Sequence, residues 1–181
     1  MAKLQSNVRI YGDDEDAVWV GLKGAVAPVG LAVPGTDFDE IGWLGEDGIG
    51  FDQDKTVNTF PAHQGGTIVR RKASGVDRSF TFQALEESAI VLGLYYPGLA
   101  ATTSGGVTTF KVPGGARTDE RSWIVDTHDG DIHKRAYIPV GEVGETGTIS
   151  HTNSGLTIYE FTVGINGDFD LVSNNPAWAT S

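Results

Sequence analysis

The segment RSWIVDTHDGDIHKRAYIPV, residues 121–140, constrains the fold more than any other part of the chain. Two runs rich in β-branched and aromatic residues flank Asp129-Gly130. Asp-Gly between such runs is a strong signal for a type I′ hairpin, because both central residues of that turn need positive φ. We therefore predict two antiparallel strands, with His128 and Asp131 close across the turn and His133 two residues further along its strand.

The same segment raises a question of chemistry, since residues 126–133 hold three aspartates and two histidines in eight positions. A metal cage needs three or more converging ligands, whereas a flat two-stranded ribbon brings two side chains together. A calcium loop also needs a longer run of oxygen ligands that ends in a bidentate acid. The hairpin is therefore the favoured interpretation over a metal site, and we expect no metal and no cofactor.

Glycine is unusually abundant, at 25 of 181 residues, which favours many turns and short strands. One helix is predicted at residues 85–98, where Leu85, Ala89, Leu92 and Tyr96 follow a 3.6-residue spacing. Ile90, Val91 and Leu94 broaden this apolar stripe, and Glu86 and Glu87 occupy the first turn. Strands are predicted at AVWVG, at AVAPVGLAV (edge or bulge, because of Pro28), at TIVRRK and RSFTFQA on either side of a turn ASGVD, at TFKV and at LTIYEFTVGI. The fold class that follows is mainly β: an antiparallel β-sandwich or barrel with one flanking α-helix.

The length suits one domain with a sizeable core. We predict an N-terminal arm at 1–16, a β domain at 17–172 and a C-terminal tail at 173–181. Within the β domain, residues 34–66 have only brief apolar pieces and are interpreted as a long loop, which in a compact domain is usually functional or ordered by a partner.

The net charge of −11 disfavours sequence-reading nucleic-acid binders and anionic membranes as partners. The cluster Arg70, Arg71, Lys72 with Arg78 is the exception, and we interpret it as a set of partners for acids within the fold or on a neighbour. The absence of cysteine and of a signal-peptide pattern predicts a soluble protein made in a cytoplasm.

Catalytic motifs are absent from the sequence. It contains no G-x-S-x-G, H-E-x-x-H, P-loop or G-x-G-x-x-G pattern. With 24 acids, a carboxylate pair of the glycosidase type stays open, so a small acidic enzyme remains an alternative. We expect no enzyme and no catalytic residues.

Three segments in this order, IGWLGEDGIGF, VRRKASGVDRSFTFQALEESAIVLGLYYPG and RSWIVDTHDGDIHKRAYIPVGEV, resemble the major tail tube proteins of long-tailed bacteriophages, especially those of actinobacterial hosts. The resemblance runs from about residue 17 to about residue 172. It implies a β-sandwich with one flanking helix, assembled as hexameric rings that stack into a tube conducting DNA. Some members carry an additional immunoglobulin-like domain, for which this chain is too short.

The resemblance also implies partners. These are other copies of the chain within and between rings, the tape measure protein, the tail terminator and the distal tail proteins. DNA would pass through the lumen without specific binding, past an inner wall that we expect to be net negative, and no membrane would be involved. The protein would reside in the virion tail after synthesis in the host cytoplasm. A ring-forming tail terminator and a secretion-type tube protein stay open as alternatives.

Candidate subunit or ring contacts are charged or aromatic residues outside the predicted core. Trp178 is one, because it lies in a polar tail with nothing local to pack on and is expected to dock on its own domain or on a neighbour. The full set is Asp13, Asp14, Glu15, Asp16, Glu46, Asp47, Arg70, Arg71 and Trp178.

Overall fold

The computed structural model describes residues 4–179. The first three residues of the predicted arm and the last two of the predicted tail lie outside the described residues. The strands are β1 (Ala17–Leu22), β2 (Phe38–Glu40), β3 (Gly50–Pro61), β4 (Ile68–Ala84), β5 (Ala100–Ser104), β6 (Val107–Lys111), β7 (Glu120–Asp129), β8 (Ile132–Thr146), β9 (Tyr159–Ile165) and β10 (Asp170–Ser173). The helix α1 is Ala89–Tyr95, and short 3-10 turns cover Gln5–Asn7 and Pro176–Trp178.

One antiparallel sheet has the strand order β2-β1-β7-β8-β9-β4-β3. Strand β8 changes partner along its length: residues 134–137 pair with β10, whereas residues 141–146 pair with β9. This change of partner lets the sheet close over a shared core. Strands β5 and β6 form a separate hairpin. The predicted fold class, a mainly antiparallel β-sandwich with one helix, is confirmed.

Aromatic side chains fill the centre of the core. Phe80 and Phe82 are buried, while Thr81 between them is exposed, which confirms the predicted two-residue alternation. Phe82 stacks on Phe161 with 5.0 Å between ring centroids, and Trp123 meets the ring of Phe80 edge-on at 5.5 Å. Each fully buried phenylalanine contributes roughly 1.5–3 kcal/mol, so these residues anchor β4, β7 and β9 together.

The helix is shorter than predicted. Ser88 is its N-cap, and its Oγ accepts a hydrogen bond from the Val91 amide at 3.3 Å. Glu86 and Glu87 therefore precede the helix rather than occupy its first turn, which corrects the prediction. The helix buries Val91 and Leu94, which belong to the predicted apolar stripe, rather than the residues at its predicted centre. Among the described residues, no helix has the length and apolar character to cross a membrane.

The hairpin between β7 and β8 forms where it was predicted, but the register and turn type differ. Asp129 pairs with Ile132, so Gly130 and Asp131 are the central residues. Only Gly130 has positive φ, at 56°, as in a type II′ turn rather than type I′. The prediction that His128 lies across from Asp131 is wrong, because its partner in this register is His133.

The predicted turn at ASGVD is a bulge within one strand. Strand β4 runs without a break through these residues, and Val57 pairs with Ala73 while Thr56 pairs with Gly75, which leaves Ser74 as the extra residue. The reversal lies instead at residues 62–67, where Gly65 and Gly66 have positive φ. A serine-glycine pair suits a bulge as well as a turn, so the local pattern did not separate the two.

Two further predictions need correction. The segment predicted as one loop, 34–66, contains β2 and β3. Residues 25–33, AVAPVGLAV, were predicted as an edge strand or bulge but form no strand. Pro28 and Gly30 (φ 59°) interrupt strand pairing there.

Candidate assembly surfaces

A two-stranded extension projects from the sandwich. Strand β4 pairs with β9 only over Ser79–Ala84, so beyond that point β3 and β4 pair with each other alone. We call residues 53–78 the ribbon. From Gln53 to its turn the ribbon is roughly 30 Å long at about 3.3 Å per residue. An isolated two-stranded hairpin is marginally stable in water, so the ribbon is a surface that needs a covering partner.

The distal ribbon, residues 55–76, has an unusual charge. It holds four of the 13 bases and none of the 24 acids. Its basic residues Arg70 and Lys72 alternate with Arg71, so they project from one face and Arg71 from the other. None of the ion pairs formed within residues 4–179 involves these three side chains. The structure therefore places the predicted contact residues Arg70 and Arg71 far from their own domain's acids.

Large apolar side chains are also exposed on the ribbon. They are Val57, Phe60, Ile68, Val69 and Val76. A second exposed apolar surface is the loop after β1, residues 24–36, which contains no charged residue and exposes Val26, Val29 and Val33. Clusters of exposed large apolar side chains along one segment are typical of interaction sites.

The acidic arm is fastened to the β7–β8 hairpin. The Asp13 carboxylate accepts a hydrogen bond from the Gly130 amide at 3.2 Å, and Asp16 accepts one from the His128 amide at 2.6 Å. Hydrogen bonds from the backbone of Asp14 and Gly130 lower the pKa of Asp13. Burial raises the pKa of Asp16 despite its bond to His128.

Upstream residues extend this attachment. Arg9 Nη1 lies 3.5 Å from Asp129 Oδ2, and Lys134 Nζ lies 4.4 Å from the ring centroid of Tyr11. Burial lowers the pKa of Lys134. Of the four predicted arm contacts, Asp13 and Asp16 thus accept hydrogen bonds within the subunit, Glu15 Oε2 lies 3.9 Å from His128 Nε2, and the Asp14 side chain is exposed.

A buried ion pair lies beneath the arm. Arg135 and Asp126, 2% and 4% exposed, form a bidentate pair with both N–O distances at 2.7 Å. Arg135 Nη1 also donates to the carbonyls of Gly30 (3.3 Å) and Ala32 (2.6 Å), which fixes the apolar loop. Sequence reasoning missed this residue, because an arginine in a strand has no local mark of burial.

The two histidines of the hairpin lie beside this ion pair. Their rings are 4.1 Å apart, and His133 Nε2 is 3.0 Å from Asp126 Oδ1. Residues 4–179 contain no group of three or more His, Asp or Glu side chains placed to hold a metal ion. Residues 126–133 thus hold the arm through the His128 and Gly130 amides, and hold the 24–36 loop through Asp126 and its partner Arg135.

An acidic cleft of about 300 Å³ opens next to the arm. We call it the Trp43 cleft, since Trp43 forms its wall and is 72% exposed. The Glu86 carboxylate accepts a hydrogen bond from the Trp43 amide at 3.0 Å. The charged residues that line the cleft are Asp14, Asp16, Glu40 and Glu86. Sequence reasoning found the two aspartates but missed the others, although an exposed tryptophan in the glycine-rich segment IGWLGEDG was an available signal.

The remaining candidates lie elsewhere. Glu46 and Asp47 are in the turn before β3, where Asp47 Oδ2 accepts a hydrogen bond from Gln83 Nε2 at 3.0 Å. Trp178 lies against its own domain, in an apolar cleft of about 310 Å³ that it shares with Phe51 and Phe169, and remains 44% exposed. The structure therefore brings the arm acids together, and places Trp178 and the distal ribbon apart from them.

Comparisons with known proteins give one family and several structures. The phage tail tube protein family matches residues 5–167. No curated protein matches the sequence significantly. A chain of the virion of the native gene transfer agent (GTA) particle is 12% identical, with a TM-score of 0.44, over 89% of this chain and 98% of that one. A chain of the tail of the empty GTA particle, of C6 symmetry, is 13% identical, with a TM-score of 0.45 and the same coverage of both chains.

Proposed function

The chain belongs to the phage tail tube protein family, and we propose that its copies form hexameric rings that stack into the tube through which phage DNA passes. The protein is a structural component of the virion tail. Closed rings are the arrangement that head-to-tail contacts between identical subunits generate when their rotation closes. The resemblance to siphovirus-type tail tube proteins implies six subunits in each ring and a long flexible tail.

The observation that carries this proposal is the ribbon. Its two strands extend beyond the sandwich with exposed apolar residues and without a covering layer from residues 4–179. Exposed strands with apolar side chains and no covering layer are stabilised when another subunit buries them. The apolar loop at 24–36 is a second surface of the same kind. We also retain the arm at 1–16, the β domain at 17–172 and the tail at 173–181 as the units that take part in assembly.

Electron microscopy of the purified protein tests the proposal. Long tubes with a regular axial repeat are the expected result. Isolated rings would favour a tail terminator, and monomers at all concentrations would contradict self-assembly. A secretion-type tube protein would also form tubes, so packaging into phage particles distinguishes that alternative. The small acidic enzyme would give monomers, and we propose no catalytic role.

A matched pair of variants tests the role of the ribbon. Val57→Asp and Val76→Asp place charges on its exposed apolar positions and should abolish tubes while leaving the monomer folded, since both sites lie outside the core. The control is Val107→Asp, which is also exposed (67%, against 43% for Val57 and 45% for Val76) but lies on the separate β5–β6 hairpin. Loss of tubes in the control alone would contradict the role of the ribbon.

The lumen is proposed to carry more acids than bases. Duplex DNA presents a phosphate charge about every 1.7 Å of axis, so a basic lining would hold it by counterion release whereas an acidic one lets it slide. Mapping charge on the assembled ring tests this, and a neutral or positive inner wall would contradict it. The tape measure, tail terminator and distal tail proteins are the further partners that the proposal entails.

A further inference from the structure

Two surfaces of opposite charge lie on this chain, the distal ribbon and the Trp43 cleft. We propose that the distal ribbon of one subunit docks in the Trp43 cleft of another copy, with Arg70 and Lys72 facing its carboxylates. This inference rests on the proposed function, since it requires subunits that assemble. It names the two surfaces that meet, which assembly alone does not.

The ribbon presents its charges in a suitable form. Arg70 and Lys72 lie on the same face, and Arg70 is paired across the ribbon with Phe60, which is exposed. The one side-chain hydrogen bond formed by the distal ribbon in the described structure joins Ser74 Oγ to the Thr56 carbonyl. The basic side chains are therefore free to enter another subunit, and the length of the ribbon takes them well beyond their own sandwich.

The cleft is complementary in charge and in shape. Its lining includes four carboxylates and no lysine or arginine. Trp43 adds a flat aromatic surface on which an arginine guanidinium can stack, and such a cation–π contact adds to the attraction of the acids. Glu86 is held in place by the Trp43 amide, so part of the cleft is organised before a partner arrives.

Nucleic acid is the other partner that a basic tip could take. The apolar side chains of Phe60 and Val69 among the bases favour a protein surface, since a phosphate backbone offers them nothing to bury against. The remainder of the chain carries 24 acids against nine bases, which repels DNA from the rest of the molecule. DNA binding is therefore an outcome for the experiment to exclude.

Charge reversal on each surface tests the inference. Variant A is Arg70→Glu/Lys72→Glu, and variant B is Asp14→Lys/Glu40→Lys; the two acids of variant B are exposed and do not fasten the arm. In variant A the ribbon face at positions 70 and 72 is acidic and meets an acidic cleft, whereas in variant B two lysines offset Asp16 and Glu86 and the cleft loses its net negative charge. Each alone should raise the critical concentration for tube formation by at least about tenfold, because variant A sets like charges against each other and variant B removes the attraction for the basic ribbon. The control Lys111→Glu, on the β5–β6 hairpin, should assemble like the wild type.

Combining the reversals should restore assembly. The chain with all four substitutions, and an equimolar mixture of A and B, both bring opposite charges together again and should form tubes near the wild-type concentration. Assembly of A or B at wild-type concentration would overturn the inference, and so would a four-fold variant as defective as either. Binding of a duplex DNA by the wild type that is lost in A, with tube formation intact, would assign the ribbon to DNA instead. Failure of the wild type to form tubes would contradict the proposed function rather than this contact.

Discussion

Replacing Arg135 by methionine should destabilise the protein severely, because it removes one partner of a buried ion pair. Asp126, with only 4% of its surface exposed, would lose both hydrogen bonds from the guanidinium and keep only His133 Nε2, 3.0 Å from its Oδ1, as a close side-chain neighbour of opposite character. Breaking a buried pair from one side costs about 3–5 kcal/mol. For a chain of this size that corresponds to a fall in melting temperature of roughly 6–20 °C.

The assay is urea unfolding of unassembled protein, with two comparison variants. Arg121→Met breaks an arginine–aspartate pair whose side chains are partly exposed, Arg121 to Asp119 at 2.9 Å, and should cost less than about 1 kcal/mol. The double variant Asp126→Ala/Arg135→Met removes both buried side chains of the pair and should be more stable than Arg135→Met alone, because no buried carboxylate is left without its guanidinium partner.

Hydrogen exchange adds a local readout of the same change. Arg135 also donates to the carbonyls of Gly30 and Ala32, so the amides of the 24–36 loop should exchange faster in Arg135→Met than in Arg121→Met. A loss below about 1 kcal/mol in Arg135→Met would refute the reasoning. Asp126→Ala alone completes the cycle, and a double variant whose loss of stability equals the sum of the losses in Asp126→Ala and Arg135→Met would also refute the reasoning, since independent effects mean no coupling between the charges.

Three further predictions concern the hairpin and the core. Gly130→Val should cost about 1–3 kcal/mol because its φ is 56° and a β-branched residue resists that conformation, whereas Gly130→Asn should cost clearly less; equal losses would show that backbone strain is not the cause. A chelator should leave the melting temperature unchanged, and a fall of several degrees would reveal a bound metal. Burial and the bond to Glu87 raise the pKa of Tyr159 to about 12, so the stability that its neutral hydroxyl supports is complete below pH 10 and is lost as the pH rises to 12. Between pH 10 and 12 the free energy of unfolding of the wild type should fall by roughly 2–3 kcal/mol more than that of Tyr159→Phe. Urea unfolding at several pH values measures this difference, and parallel pH profiles for the two proteins would contradict it.

The parts of the fold that could be predicted have their partners nearby in sequence or repeat with a simple period. Phe80 and Phe82 are buried on one side of their strand, and that alternation is visible in the sequence. The β7–β8 hairpin was likewise located by its own turn residues. The register was not, because a shift of one residue exchanges Asp129-Gly130 for Gly130-Asp131 while both dipeptides remain suitable for a turn.

The helix shows why a regular spacing can mislead. The apolar residues from Leu85 to Tyr96 follow a helical period, but Ser88 provides an N-cap that begins the helix at Ala89. The preceding acids then serve distant residues: Glu86 binds the Trp43 amide, and Glu87 accepts a hydrogen bond from the Tyr159 hydroxyl at 2.8 Å. Those partners lie far away in sequence, so no local pattern marks them.

Strand β3 was predicted as part of a loop for a different physical reason. Pattern reading locates a strand by the apolar residues that it buries in its own chain, and β3 is exposed along all 12 of its residues. On the proposed assembly, the surface that covers the ribbon belongs to another subunit, so the burial that would explain Val57 and Phe60 does not exist within one chain. A polar segment with isolated apolar residues next to a basic cluster is then the pattern that an intersubunit strand leaves in a sequence. The prediction of residues 34–66 as a long loop rested on their brief apolar pieces and on their length, and it assigned the wrong secondary structure because it assumed that an exposed segment forms no strand.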